Sequence, residues 1–307
     1  MLAAVVAGDA AAVAGCLSRG ADPNAADGEG YTLLCEAALA GALDVVRLLL
    51  QHGARPADAG PEGTPLMLAI DNKHAAVADC LLDWRLETGG DVGIHVRNTA
   101  GGTALHLSIY GPGISVVRGL LEAGADPNTR CLGNWSPLTA AAGSPDGLGF
   151  ELQAAEALID RGAAMEPKTE PEGCTALLQA CFRGNYDIAS LLVRRGADVN
   201  ATTTAGYGVL ANVHLYPIEL VRLLLDAGAG PKHGDIIRLL LDAGADPDVG
   251  SNSNDWSFIA AVVLQWRGET QAALERERAA RAASEASFRF ALPHLLAAAA
   301  GAGAARC

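Results

Sequence analysis

The side chains with the widest chemical reach in this chain are seven histidines, at 52, 74, 95, 106, 214, 233 and 294, and seven cysteines, at 16, 35, 80, 131, 174, 181 and 307. Thiolate nucleophiles, imidazole bases and zinc ligands all come from these two types, and each use demands a spacing. No Cys-x-x-Cys pair occurs, and no His/Cys cluster has zinc spacing. A phosphate loop, a dinucleotide fingerprint, a metalloprotease helix and a nucleophile elbow are likewise missing. The sequence therefore assigns no catalytic residue, no metal ligand and no cofactor. An odd number of unpatterned cysteines fits a reducing compartment, with most thiols serving as small core side chains.

Composition narrows the classes further. Half of the 307 residues are hydrophobic but only 5% are aromatic, and glycine and alanine are abundant. Such a mix suits many closely packed small helices better than one compact core filled by large side chains. Charged residues make up 19% and apolar runs recur throughout, which excludes a disordered chain. The formal net charge is −13. Residues 1–268 hold 31 acidic and 17 basic side chains, so the acidity belongs to the main body. A body of that sign repels phosphate backbones and anionic membranes, so neither nucleic acid nor membrane is expected as a partner. A protein partner with a basic segment is the expectation. "MLAAVVAGDAAAVAGC" ends in "VAGC", like a lipoprotein cleavage box, but no Lys or Arg precedes it and Gly8-Asp9 interrupts the apolar run.

The elements that must position any site are repeats. Gly followed by Ala or a relative closes a leucine-rich run at Gly20, Gly53, Gly90, Gly124, Gly162, Gly196, Gly228 and Gly244. Thr or Ser, with Leu or Ile two residues on, stands at Thr32, Thr64, Thr103, Ser136, Thr175 and Ser257, and Gly208 holds the matching place. The hydroxyl suits a helix N-cap, and Pro65 and Pro137 suit the first helical position. A short helix such as "TLLCEAALAG" follows, then a second such as "ALDVVRLLLQHG" with Val45, Val46, Leu48 and Leu49 at helical spacing. Neither helix buries its apolar face alone, so the units must stack. The register puts "VAGC" inside a second helix and starts Met1 within a unit. Extra residues at 84–93 and 143–151 are expected as surface loops.

The period near 33 and the worn tetrapeptide TLLC, TPLM, TALH, SPLT, TALL resemble the ankyrin repeat, with its Thr-Pro-Leu-His signature. The resemblance covers about residues 1–268. It implies an all-α fold: an ankyrin-repeat solenoid of about eight stacked helix-turn-helix units with β-turn fingers. Residues 1–230 form the array, 231–268 hold degenerate or half units, and 269–307 form a helical cap and low-complexity tail. The phrase "VRLLLDAG" recurs as "IRLLLDAG" after only sixteen residues, so a weak joint is expected near residue 231. Only His106 keeps the family histidine, where the imidazole hydrogen-bonds neighbouring turns. Cys174 and Cys181 are read as packing residues of one first helix and its turn.

In the family, the residue before each Thr/Ser marker lies on a finger facing the concave groove. Here those residues are Tyr31, Gly63, Gly102, Trp135, Cys174, Tyr207 and Trp256. An aromatic there either packs across adjacent turns or anchors a partner. Nearby acids, Glu29, Glu62 and Glu172 among them, would steer a basic segment. Glu36, Asp71, Asn72, Tyr110, Phe182 and Arg183 are expected to face the groove from the first helices, and Asn24, Asn128 and Asn200 to shape turns. The resemblance implies a monomeric, non-enzymatic scaffold or adaptor in the cytoplasm or nucleus, which binds protein through its concave face. Two other readings stand beside it. One is a regulatory fragment of a larger signalling protein, and the other is a substrate adaptor of a ubiquitin-ligase-type complex.

Overall fold

The computed structural model describes residues 1–144, 149–211, 216 and 218–229. The chain divides into two units, Met1–Gly230 and Pro231–Cys307. The expected half units, the C-terminal cap and Trp256 lie outside the described residues.

Short antiparallel helix pairs build the first unit. They are α1 (Leu2–Val6) with α2 (Ala10–Leu17), α3 (Leu33–Leu39) with α4 (Leu43–Gln51), and α5 (Pro65–Asp71) with α6 (Ala75–Thr88). Then come α7 (Ala104–Ser108) with α8 (Ile114–Glu122), α9 (Pro137–Gly143) with α10 (Glu151–Asp160), and α11 (Ala176–Arg183) with α12 (Tyr186–Arg194). Helix α13 (Ile218–Asp226) follows. First helices pack on first helices, α1 through α11, and second helices pack on second helices, α2 through α13. Among the described residues there are only isolated β-bridges, such as Ala26–Thr32 and Thr202–Gly208, at the bases of fingers.

The first helices from α3 to α11 each begin at a Thr or Ser whose hydroxyl can cap them. Thr32, Thr64, Ser136 and Thr175 accept the backbone N–H of Cys35, Met67, Thr139 and Leu178 at 3.2–3.4 Å. A cap of this kind is worth about 1 kcal/mol, a large share of what a seven-residue helix can hold. The first helices inside the array are buried nearly all round, as with Leu66, Met67, Leu68, Ala69 and Ile70 of α5, whereas α1 at its end buries only Val5. The second helices bury one stripe, as with Val45, Val46, Leu49 and Leu50 of α4. Each such leucine or valine contributes about 1.5–3 kcal/mol on burial.

Two side-chain devices join neighbouring pairs. Asn24 donates to the Gly53 carbonyl (3.2 Å) and accepts from the Arg55 N–H (2.8 Å). Asn128 repeats this with Gly162 (3.0 Å) and Ala164 (2.8 Å), and Asn200 donates to Gly228 (3.2 Å). At the opposite end, the residue opening a second helix reaches back to the preceding first helix. His74 bonds the Leu39 carbonyl at 3.0 Å, and Asn185 donates to Ala142 and Ser144 at 2.8 and 2.7 Å.

The insertion at 84–93 is a correction to the expected loop. Helix α6 runs on to Thr88, 14 residues against nine in α4 and α8, so half of the insertion is helical. Leu86 and Glu87 are good helix formers, and the left-handed residue that stops the helix is Gly89 (φ 69°). Gly90, expected to close the helix, instead lies under Trp84: a Cβ there would stand 2.3 Å from the ring. Of the second insertion, 145–148 fall outside the described residues.

The turn between first and second helix needs a positive φ. Gly8 (69°), Gly41 (67°) and Gly184 (84°) supply it, but the third pair has Lys73 at 61°. A side chain there is strained by about 1–2 kcal/mol, partly offset by the greater freedom of an unfolded glycine. Lys73→Gly is therefore expected to raise stability by about 0.5–1 kcal/mol, read as a higher urea midpoint at unchanged slope.

Candidate functional site

Between the helix pairs the chain projects as hairpin fingers. Five-residue fingers are closed by the N–H of Asp27 on the Tyr31 carbonyl, of Asn98 on Gly102, of Cys131 on Trp135 and of Thr203 on Tyr207, at 2.9–3.0 Å. A carboxylate or amide can close them a second time. Asp27 accepts from the N–H groups of Glu29 and Tyr31, and Asn98 from those of Ala100 and Gly102.

The later fingers are laced to one another. Leu132 N–H donates to Ala100, Glu170 N–H to Gly133 and Thr204 N–H to Glu172, at 3.1, 2.7 and 2.9 Å. Side chains reinforce the row. Arg97 donates to the Arg130 carbonyl, Asn134 to Lys168 (2.7 Å) and Lys168 to Thr202 (2.7 Å). Arg97 and Lys168 thus spend donors on main-chain oxygens, and Arg130 on the Asn134 side chain.

One face is bounded by the fingers on one side and the first helices on the other. Trp135, on a finger, leans over the end of α9: a Cβ on Gly143 would lie 3.0 Å from its ring and from the Gln179 side chain of α11. Asp27, on another finger, interacts with Glu36 of α3. Tyr110, just past α7, feels both Cys131 on a finger and Arg183 at the end of α11. We refer to this surface as the inner face.

The finger aromatics take three different positions. Tyr31 is half-buried, its ring lying where a Cβ on Gly60 of the next finger would come within 2.8 Å. Trp135 is half-buried over Gly143 and Gln179. Tyr207 is 58% exposed, and Tyr110 is 46% exposed. Glu29, Glu62 and Glu172 are exposed at finger tips, and Phe182 is half-buried on α11. Asp71, Asn72 and Arg183 are exposed at the ends of α5 and α11.

Electrostatics separate Asp27 from Glu36. The Tyr31 N–H and, more weakly, those of Glu29 and Gly30 hold the Asp27 carboxyl below its ordinary value. Burial, and then the Asp27 charge, push Glu36 up, and the pair shares a hydrogen bond in which Glu36 is the donor when protonated. Burial, followed by the Glu62 charge, raises the Tyr31 phenol.

The residues with catalytic reach are tied up in packing. His106 closes a capping box, its Nδ1 accepting from the Thr103 N–H (3.2 Å). That leaves Nε2–H to donate to the Trp135 carbonyl of the next finger (3.2 Å), and burial lowers its pKa. Burial pushes the Cys181 thiol up to about 12, and raises Cys131 and Cys174 as well. A reactive thiol requires the opposite shift. Among the described residues no three His, Cys, Asp or Glu side chains converge as a metal site. No helix there is long and apolar enough to cross a membrane.

Sequence reasoning missed the asparagine bridges and the finger lacing. One signal was available, since Asn24, Asn128 and Asn200 each stand four residues after a helix-closing glycine. The packing of Trp135 over Gly143 and Gln179 left no such mark.

Because Glu36 titrates above its unfolded value, its ionisation weakens the fold. The stability tied to its proton is present below the usual carboxylate range and is lost as pH rises through the raised value. Glu36→Gln is expected to raise Tm at pH 7, with the gain shrinking to nothing below about pH 4; calorimetry at the two pH values measures it.

Known proteins share this architecture. The family profile for ankyrin repeats (3 copies) matches residues 1–92, 58–131 and 105–203. An ankyrin repeat protein of Acanthamoeba polyphaga mimivirus is 27% identical over 217 residues, covering 70% of this chain and 28% of the relative. The B-cell lymphoma 3 protein homolog of Mus musculus is 34% identical over 157 residues, covering 50% of this chain and 33% of the relative. The chain thus spans about a third of the length of these curated relatives. The crystal structure of the Bcl-3 ankyrin repeat domain superposes with a TM-score of 0.59 at 27% identity, over 73% of this chain and 96% of that one. Ankyrin repeats are a non-catalytic protein-interaction fold, and these relatives mark the array as a protein-interaction domain. On the profile match across residues 1–203, the chain belongs to the ankyrin repeat family.

Proposed function

We propose that this protein is a scaffold or adaptor that holds a segment of a partner protein against the inner face, without a chemical step. The observation that carries this reading is the exposure of Tyr110 at the end of a first helix and of Tyr207 on a finger whose backbone is closed and laced to its neighbour. Rigid aromatic groups lose little entropy on contact, and they dominate binding energy when a partner covers them. Carboxylates at Glu29, Glu36 and Glu62 give the same face its negative end, which favours a basic segment. The net charge of −13 disfavours nucleic acid and anionic membranes. The abundance of unpaired thiols among the described cysteines fits a cytoplasmic or nuclear setting, and a monomer is the form that leaves the inner face open.

A second reading has one observation behind it. The chain matches about a third of the relatives' lengths, so the array can also serve as the regulatory portion of a longer signalling protein.

The test is affinity capture with immobilised protein in three forms: wild type, Tyr110→Ala/Tyr207→Ala, and Arg118→Ala/Glu156→Ala on the opposite, second-helix face. Circular dichroism verifies that each is folded. The inner-face pair is expected to weaken retention of specific proteins by at least about tenfold, the scale of two aromatic anchors. The second-helix pair is expected to leave retention unchanged. Equal retention by all three forms would remove the inner face as the binding site.

A further inference from the structure

The inner face is not uniform along its length. Its first part, formed by the fingers at 27–31 and 60–63 and by α3 and α5, presents Glu29, Glu36, Glu62 and Asp71. Farther along, the exposed groups on the first-helix row change from carboxylates to the Tyr110 phenol and the Arg183 guanidinium. The other cations of that end, Arg97, Arg130 and Lys168, are engaged by finger oxygens. Arg183 differs: it is exposed, ends α11, and forms no hydrogen bond or ion pair among the described residues. It ends the same row of packed first helices that carries Tyr110, and its charge reaches both Tyr110 and Cys174. Glu172 lies on the neighbouring finger without pairing with it.

An exposed guanidinium that lacks a counter-ion, on the same helix row as an exposed phenol, is suited to take a carboxylate in a two-pronged hydrogen bond while the ring holds an apolar side chain. The opposite end is suited to lysine or arginine. We propose that the occupant of the inner face is an extended peptide segment of opposed charge, with its basic residues over α3 and α5 and an acidic residue at Arg183. This rests on the inner face being the binding surface.

Geometry sets the spacing of that segment. From α5 to α11 there are three steps between packed first helices, and from α3 there are four. Packed helices stand about 8–10 Å apart, so the charges are separated by about 25–40 Å. An extended chain advances about 3.3 Å per residue, which places the acidic residue about 8–12 residues from the basic pair, with aromatic or aliphatic residues between.

Random 16-residue peptides displayed on phage test this, panned against wild type, Arg183→Glu and Tyr110→Ala/Tyr207→Ala. Wild type is expected to enrich peptides with a Lys/Arg pair and an Asp/Glu about 8–12 residues away. Arg183→Glu is expected to keep the basic preference and lose the acidic one. For an enriched peptide, Arg183→Glu should weaken binding by about tenfold or more in fluorescence anisotropy, and Asp→Lys in that peptide should restore much of the loss. Arg183→Gln, which removes charge without reversing it, should fall between. Enriched peptides that depend on Tyr110 and Tyr207 but ignore Arg183 would overturn the charge order and leave the inner-face reading intact. Peptides indifferent to the tyrosine pair, or no enrichment at all, would overturn the inner-face reading and this inference with it.

Discussion

A helix of five to nine residues does not hold its shape in water by itself, because the cost of nucleation is spread over too few hydrogen bonds. Every first helix among the described residues has five to eight residues, so the array depends on neighbours covering one another. The consequences run through the molecule. First helices inside the array are apolar nearly all round because they lie between two others, whereas second helices such as α4 and α12 keep a polar stripe. Hydroxyl caps recur at Thr32, Thr64, Ser136 and Thr175 because a short helix cannot spare its first N–H groups. Side-chain amides at Asn24, Asn128 and Asn185 then tie adjacent pairs through main-chain oxygens, where a slip of one residue would break both bonds.

The same constraint yields a surface that can be specific without moving. Finger backbones are closed internally by Asp27 and Asn98, and the later ones are laced to the next finger. Side chains on such a backbone are free to differ, since the fold asks little of them. Tyr31 and Trp135 have been drawn into packing, one against the next finger and the other across α9. Tyr110, Tyr207 and Arg183 have not. Function on this array is a matter of which inner-face side chains remain unspent once the neighbours have been satisfied.

Much of the fold was legible because its signals are local and repeat. A Thr or Ser before an apolar turn, a glycine after a leucine run and a stripe of Val and Leu each have a physical meaning within a dozen residues. Helix α6 was misread where a local signal was ambiguous: Gly89 and Gly90 are adjacent, and the sequence does not say which one turns left-handed. The inner face was legible only in outline. Whether Trp135 projects or folds back depends on Gly143 having no side chain and on Gln179 reaching over from the next pair. Whether Arg183 is paired depends on residues one and two repeats away. Such facts exist only after stacking, so no window of sequence contains them.

The bridges between pairs join residues 28 to 43 positions apart, close to one repeat. The acceptors in these bridges are main-chain carbonyls, which every repeat offers at the same place, although only some repeats carry the donor. Duplicating or excising one repeat in the gene would present every donor with an equivalent acceptor, so the array can lengthen or shorten without redesign of its joints. Its history is open to recombination in a way that a single interlocked core is not, and new inner-face chemistry can arrive a whole repeat at a time.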